Sequence, residues 1–177
     1  MHLSDTIWLA TLAVVLYAGY SDWRRRRIPN WLTVSGFLLG IALNSIFSGW
    51  RGALESLEGA GLALGLLLPL VLLRGIGAGD WKLLGAVGAL MGWRAMLVVL
   101  IVSCLITGAA ALVQIVATRR LKATFSNIGT LLKGFAIFGF RPNPEISLDN
   151  PTLVKLPFGT CVALGTALCF LAAHWPQ

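Results

Sequence analysis

Ionic side chains are scarce in this chain: 12% of its 177 residues are charged, and only seven residues are acidic. A soluble globular domain carries about 25% charged residues, so the composition excludes an ordinary water-facing surface. Cysteine is equally sparse. Cys104, Cys161 and Cys169 all lie in apolar runs, none forms a CxxC pair, and no histidine sits beside them. A disulfide framework and a zinc site are therefore excluded, and the thiols are expected to pack as small hydrophobes. The two histidines, His2 and His174, lie near opposite chain ends and are expected to be incidental. No His/Cys/carboxylate set occurs at ligand spacing, so neither a metal nor a cofactor is expected. No basic stretch precedes the first apolar run, which argues against a cleavable signal peptide.

What the chain does have is apolar length, with 57% hydrophobic residues and a mean hydropathy of +0.81. Six apolar stretches stand out: Thr6–Tyr20, Trp31–Phe47, Leu57–Leu73, Leu83–Trp93, Ala95–Thr118 and Leu156–Trp175. A transmembrane helix takes about 20 apolar residues, and irregular backbone cannot face lipid, so each stretch should be helical. The fold expected is an all-α, polytopic membrane bundle of about six transmembrane helices. It fills 1–177 as a single integral-membrane domain, with no room for a second sizeable one. The fourth stretch is short and requires tilt, a cap or shielding by its neighbours.

The basic residues orient the bundle. The cluster Arg24–Arg27 follows the first run, and basic residues favour the cytoplasm. Threading six spans from there places both termini outside and 12 of the 14 basic residues inside, leaving only Arg51 and Arg94 outside. The net charge of +7 then describes topology and contact with anionic lipids, and gives no reason to invoke nucleic acid. Residues 123–155 form an inner loop. Within it, Phe125–Phe138 has helical apolar spacing that suits an interfacial amphipathic helix, and Arg141–Pro151 reads as a polar loop. Gly36 with Gly40, Gly61 with Gly65, and Gly88 with Gly92 lie at the four-residue spacing that lets membrane helices approach closely.

Of the seven acids, Asp5, Glu55 and Glu58 fall near outer span ends, and Glu145 and Asp149 fall in the inner loop. Asp22 and Asp80 differ. Both are expected at the cytoplasmic ends of spans, at similar depth, where ionisable groups are costly. Asp22 could be a boundary charge neutralised by the arginines after it. Asp80 could be a helix N-cap, although Gly75, Gly77 and Gly79 alternate before it and permit unusual backbone or close approach of another chain. Two carboxyls brought together have a specific use. Like charges at close range hold one proton between them, so one can activate water while the other polarises a peptide carbonyl, as in aspartic proteases.

Three segments resemble the type IV prepilin peptidase family of membrane aspartic peptidases. Asp22-Trp23-Arg24-Arg25-Arg26-Arg27-Ile28-Pro29-Asn30 is similar to the family's aspartate, basic stretch and Ile-Pro-Asn. Gly77-Ala78-Gly79-Asp80-Trp81-Lys82-Leu83 matches Gly-x-Gly-Asp-x-Lys-Leu. Leu156-Pro157-Phe158-Gly159-Thr160 resembles the entry to the family's last helix, with Thr160 in place of the usual proline. The resemblance implies that Asp22 and Asp80 are catalytic, with Gly77, Gly79, Lys82, Pro29, Asn30, Pro157 and Phe158 supporting the active-site loops.

It also implies the reaction: removal of a short basic leader from a prepilin, just before the pilin's apolar helix, at the cytoplasmic face of the bacterial inner membrane. Larger members carry a cytoplasmic insertion with a four-cysteine zinc site and also N-methylate the new terminus. This sequence shows no such insertion. It looks like the short form associated with Flp/Tad pili (the CpaA or TadV type), with peptidase but not methyltransferase activity expected. The partners implied are the prepilin and anionic lipids, the latter held by Arg24–Arg27. Some roles stay open. Pro29 and Pro157 suit helix entry on their own. Lys82 either stabilises charge near Asp80 or snorkels to headgroups. A non-enzymatic transport or assembly protein with structural or proton-relay aspartates is the alternative, but such a relay would string acids through the bilayer.

Overall fold

The computed structural model describes residues 3–118 and 157–174. Its helices are α1 (Leu3–Arg25), α2 (Asn30–Leu72), α3 (Ala78–Ala117) and α4 (Phe158–Ala173), and no strand occurs among the described residues. The inner loop 123–155, with Phe125–Phe138 and Arg141–Pro151, lies outside the described residues.

The two long helices are each broken by a glycine. Gly49 (φ 61°, ψ −145°) interrupts α2 and Gly92 (φ 74°, ψ 172°) interrupts α3. A positive φ strains any residue with a Cβ. At Gly49 the chain reverses, since the Ser56 hydroxyl lies 3.3 Å from the Gly40 carbonyl and 2.9 Å from the Asn44 amide. At Gly92 it also turns back. A straight rod would carry Ser103 about 35 Å beyond Asp80. Instead, Ser103 lies against Gly165, only about 9 Å of helix from Gly159, which sits beside Ile28 and Asp22 together with Gly79.

These two breaks give helical segments 30–48, 50–72, 78–91 and 93–117, matching the divisions between the second and third and the fourth and fifth apolar runs. By length and hydropathy, α2 and α3 are long and apolar enough to cross a membrane. Leu9, Leu16, Ile46, Phe47, Leu66, Leu105, Leu112, Val113 and Leu168 are among the exposed large apolar side chains. An exterior this apolar suits a lipid surrounding.

Segment 78–91 is the centre of the bundle. Every residue from Leu83 to Leu90 is buried. This explains why the fourth apolar run is short. It is shielded by neighbours, and its helix starts five residues earlier, at Ala78, inside the glycine-rich motif.

Packing against it depends on missing side chains. Gly59 and Gly88 meet backbone to backbone, and a Cβ on Gly40 would lie 2.6 Å from the Ala89 carbonyl carbon. Gly36 fits against Val14 and Ala86. The expected pair Gly61 and Gly65 does not pack: both face open space. Gly59, outside that spacing, carries the contact because it sits on the inner face of the segment. Cys104 is likewise exposed, whereas Cys161 is buried and Cys169 half-buried.

Among the described residues, every buried side-chain polar atom but one, Asp80 Oδ1, is paired. The Asn44 amide nitrogen lies 3.0 Å from the Gly40 carbonyl and 3.1 Å from those of Ala89 and Leu90. The last two carbonyls end segment 78–91, where the break at Gly92 removes their helical partners. His174 has a packing role: it lies tilted against Phe170 and edge-on to Trp8, and its Nε2 lies 3.3 Å from Asp5 Oδ1, tying the end of α4 to the start of α1.

The Gly59 and Gly61 pair tests this packing. Gly59→Ala should lower the melting temperature in detergent, because overpacking costs about 1–3 kcal/mol. Gly61→Ala should leave it unchanged or raise it, since alanine gains about 1 kcal/mol over glycine in a helix.

Candidate active site

Asp22 lies in the last turn of α1 and is buried, at 8% exposure. The helix ends just beyond it. Arg26 takes a left-handed conformation (φ 53°), its N–H bonds the Asp22 carbonyl at 2.8 Å, and the Ser21 hydroxyl donates to the Arg27 carbonyl at 2.8 Å. These bonds fold the basic segment away and deliver Ile28 back beneath the bundle. Pro29 is the N-cap of α2 (φ −64°, ψ 134°) and Asn30 its first residue, so the basic segment and the next helix are joined by one short turn.

Asp80 is not an N-cap. Gly77 holds that position, and Asp80 is the third residue of α3, where the helix dipole favours negative charge. Its carboxyl is wedged inward. Oδ1 is buried and has no hydrogen-bond partner among the described residues. Isolated buried polar atoms of this kind call for an explanation.

The two carboxyls and the start of α4 come together. The Gly159 N–H donates to Asp22 Oδ2 at 2.9 Å, and the Thr160 N–H faces the same carboxyl. Asp80 is within electrostatic reach of Asp22 and also feels the Gly159 N–H. The Arg26 charge acts on Asp22 too, so neutralisation by the following arginines is one part of its environment and the α4 amides are another.

The glycines of the motif provide room rather than unusual backbone. Gly77 has φ −69°, and neither it nor Gly79 has positive φ. A Cβ on Gly77 would lie 3.1 Å from Asp80 Oδ2, and one on Gly79 would lie 3.3 Å from the Ile28 Cβ. Gly159 meets the same side chain from the other side, with an added Cβ 2.9 Å from Ile28 Cδ1 and 3.1 Å from Asp22 Oδ2. Ile28 is thus the apolar wedge shared by the Gly79 and Gly159 backbones. Gly75, by contrast, has only an ordinary contact at 3.4 Å.

The remaining expected residues lie around this centre. Lys82 is exposed and its Nζ donates to Asn30 Oδ1 at 3.0 Å, linking the first two motifs at the rim. Beside it a groove of about 260 Å³ is lined by Thr33, Val34, Phe37, Leu64, Lys82 and Gly85. Trp81 turns the other way and donates to the Leu64 carbonyl at 2.8 Å. Pro157 is the N-cap of α4, and Phe158 packs against the core.

Reading the residues one at a time missed three contributions: the Gly159 amide, the Ile28 wedge, and the Thr160 hydroxyl, which donates to the Gly19 carbonyl at 3.0 Å. The signal for the first and third was the third motif itself, where a glycine and a hydroxyl open a helix.

Gly77→Ala should crowd the Asp80 carboxyl and lower the melting temperature in detergent, since overpacking costs about 1–3 kcal/mol. Gly75→Ala should lower it less. Thermal unfolding followed by circular dichroism separates the two.

The model of the type IV leader peptidase family matches residues 9–112, a stretch that takes in Asp22 and Asp80 and stops short of Pro157. No curated protein and no solved structure matches the chain. With more than half of its length matched, the chain belongs to the type IV leader peptidase family.

Proposed function

We propose that this peptidase removes the short basic leader from a prepilin of the Flp/Tad type, at the cytoplasmic face of the inner membrane, with Asp22 and Asp80 as its catalytic pair. The observation that carries this reading is the convergence of the two motif carboxyls around the Gly159 amide, with one Asp80 oxygen buried and unpartnered. Two carboxyls at close range share one proton. Between them they take a proton from water and give one to the peptide carbonyl, then protonate the leaving amine, so no covalent intermediate is needed.

The proposed topology has six spans with both termini outside. Asp22, Asp80, Arg24–Arg27, Arg74 and Lys82 then lie on the cytoplasmic side, and Arg51 and Arg94 on the other. Arg24–Arg27 are exposed and suit anionic headgroups. They would repel a basic leader, so leader binding falls to other surfaces. The reaction proposed is hydrolysis without N-methylation.

Co-expression with a candidate Flp prepilin tests the assignment through the mass of the processed pilin. Asp22→Asn and Asp80→Asn should each reduce leader removal by at least about 100-fold, the low end for loss of a general acid or base. Undiminished processing by either variant would refute the catalytic pair.

A further inference from the structure

The two carboxyls are held in unlike ways. Asp22 accepts the Gly159 N–H at 2.9 Å and faces that of Thr160. These amides belong to the first turn of α4, whose N-cap is Pro157 and whose first closing bond runs from the Cys161 N–H to the Pro157 carbonyl. First-turn N–H groups have no partner within their own helix and lie at its positive end. Amide donors favour the ionised form of the carboxyl that accepts them.

Asp80 shares the influence of the Gly159 N–H but lacks that of Thr160, and one of its oxygens, Oδ1, is buried with no donor among the described residues. A bare anionic oxygen there is costly, whereas an O–H there is a donor free for an incoming carbonyl. Among the described residues, the charged groups acting on this pair are Arg26 on Asp22 and Asp22 on Asp80. Lys82 is turned to Asn30.

One bond sets the position of the α4 turn. The Thr160 hydroxyl donates to the Gly19 carbonyl one turn before Asp22. Gly19 has no side chain in the way, and a Cβ there would lie 3.3 Å from the Thr160 Cα. The hydroxyl therefore fixes the height at which the Gly159 amide meets the carboxylate.

We propose, building on the two-aspartate reading above, that the carboxyls have fixed and different parts: Asp22 is the base, Asp80 is the acid, and Thr160 is the positioning residue that maintains the division. In the first step water adds to the peptide carbonyl carbon. Its proton passes to the Asp22 carboxylate, and the Asp80 proton passes to the carbonyl oxygen, giving a neutral gem-diol. In the second step the C–N bond breaks. Asp22 gives its proton to the departing amine, a gem-diol hydroxyl returns one to Asp80, and both groups regain their starting states.

The test uses the full chain in lipid–detergent micelles, with a peptide carrying a basic leader and the start of an apolar helix. In Thr160→Val the acid limb of the kcat/KM pH profile should move to higher pH by about 0.5–1, the size expected for weakening one hydrogen bond to the carboxylate. The alkaline limb and KM should stay unchanged, and Thr160→Ser should restore the wild-type profile. An acid limb that does not move, or movement of the alkaline limb instead, overturns the role of Thr160.

A second measurement does not depend on the folding of that variant. The infrared band of the protonated carboxyl, followed against pH in Asp22→Asn and Asp80→Asn, compares the two groups one at a time. The Asp80 acid should persist to higher pH than the Asp22 acid, and the reverse order overturns the assignment. Cleavage that survives Asp22→Asn or Asp80→Asn would instead refute the catalytic pair itself, so the two failures are distinguishable.

Discussion

The hydrogen bond from the Gly159 amide to the Asp22 carboxylate joins residues 137 apart in sequence, and the arrangement of the site depends on it. A Cβ on Gly159 would crowd both the carboxyl, at 3.1 Å from Oδ2, and Ile28, at 2.9 Å from Cδ1. The bond holds the last helix against the first, and Ile28 fills the space between Gly159 and Gly79, so the same approach also places the start of α3. Three chain segments with no local connection thus meet around two carboxyls. Each contributes either a carboxyl or the absence of a side chain.

The same economy governs the rest of the bundle. Where helices are surrounded by lipid, apolar burial gives little net drive for association, and close packing and paired polar groups take over. Gly40, Gly59 and Gly88 bring backbones together around segment 78–91. Asn44 satisfies the carbonyls left over where Gly92 breaks the ladder. Against this background of paired polar atoms, the unpartnered oxygen of Asp80 is the exception among the described residues, and it lies within electrostatic reach of the Asp22 carboxyl.

Much of this was legible in the sequence, and the remainder shows where one-dimensional reading stops. The apolar runs anticipated that the chain divides near Gly49 and Gly92, because a span must be helical, but not what divides it: four-residue spacing suggested that Gly92 packs with Gly88, whereas its positive φ of 74° makes it the break in α3. The Gly-x-Gly-Asp segment announced tightness around Asp80, and the contacts of Gly77 and Gly79 explain it as space rather than backbone freedom. Four-residue spacing could not distinguish Gly61 from Gly59, because spacing identifies a stripe and not the direction it faces. It was Gly59 that met Gly88. The Gly159 amide was marked only indirectly, by the glycine that opens the third motif, because a backbone donor has no residue type. Only the three-dimensional approach of α4 gives it a role.

The claim at the centre of this account is that Asp22 and Asp80 act as one site on one reacting carbonyl. It is tested most directly by the binding of a leader peptide whose scissile amide is replaced by a non-cleavable hydroxyl isostere, measured calorimetrically on wild type and the two single Asn variants. A tetrahedral mimic held by both carboxyls should bind wild type at least about 100-fold more tightly than the uncleaved sequence and lose most of that advantage in either variant. Equal affinity for wild type and both variants would contradict a shared site.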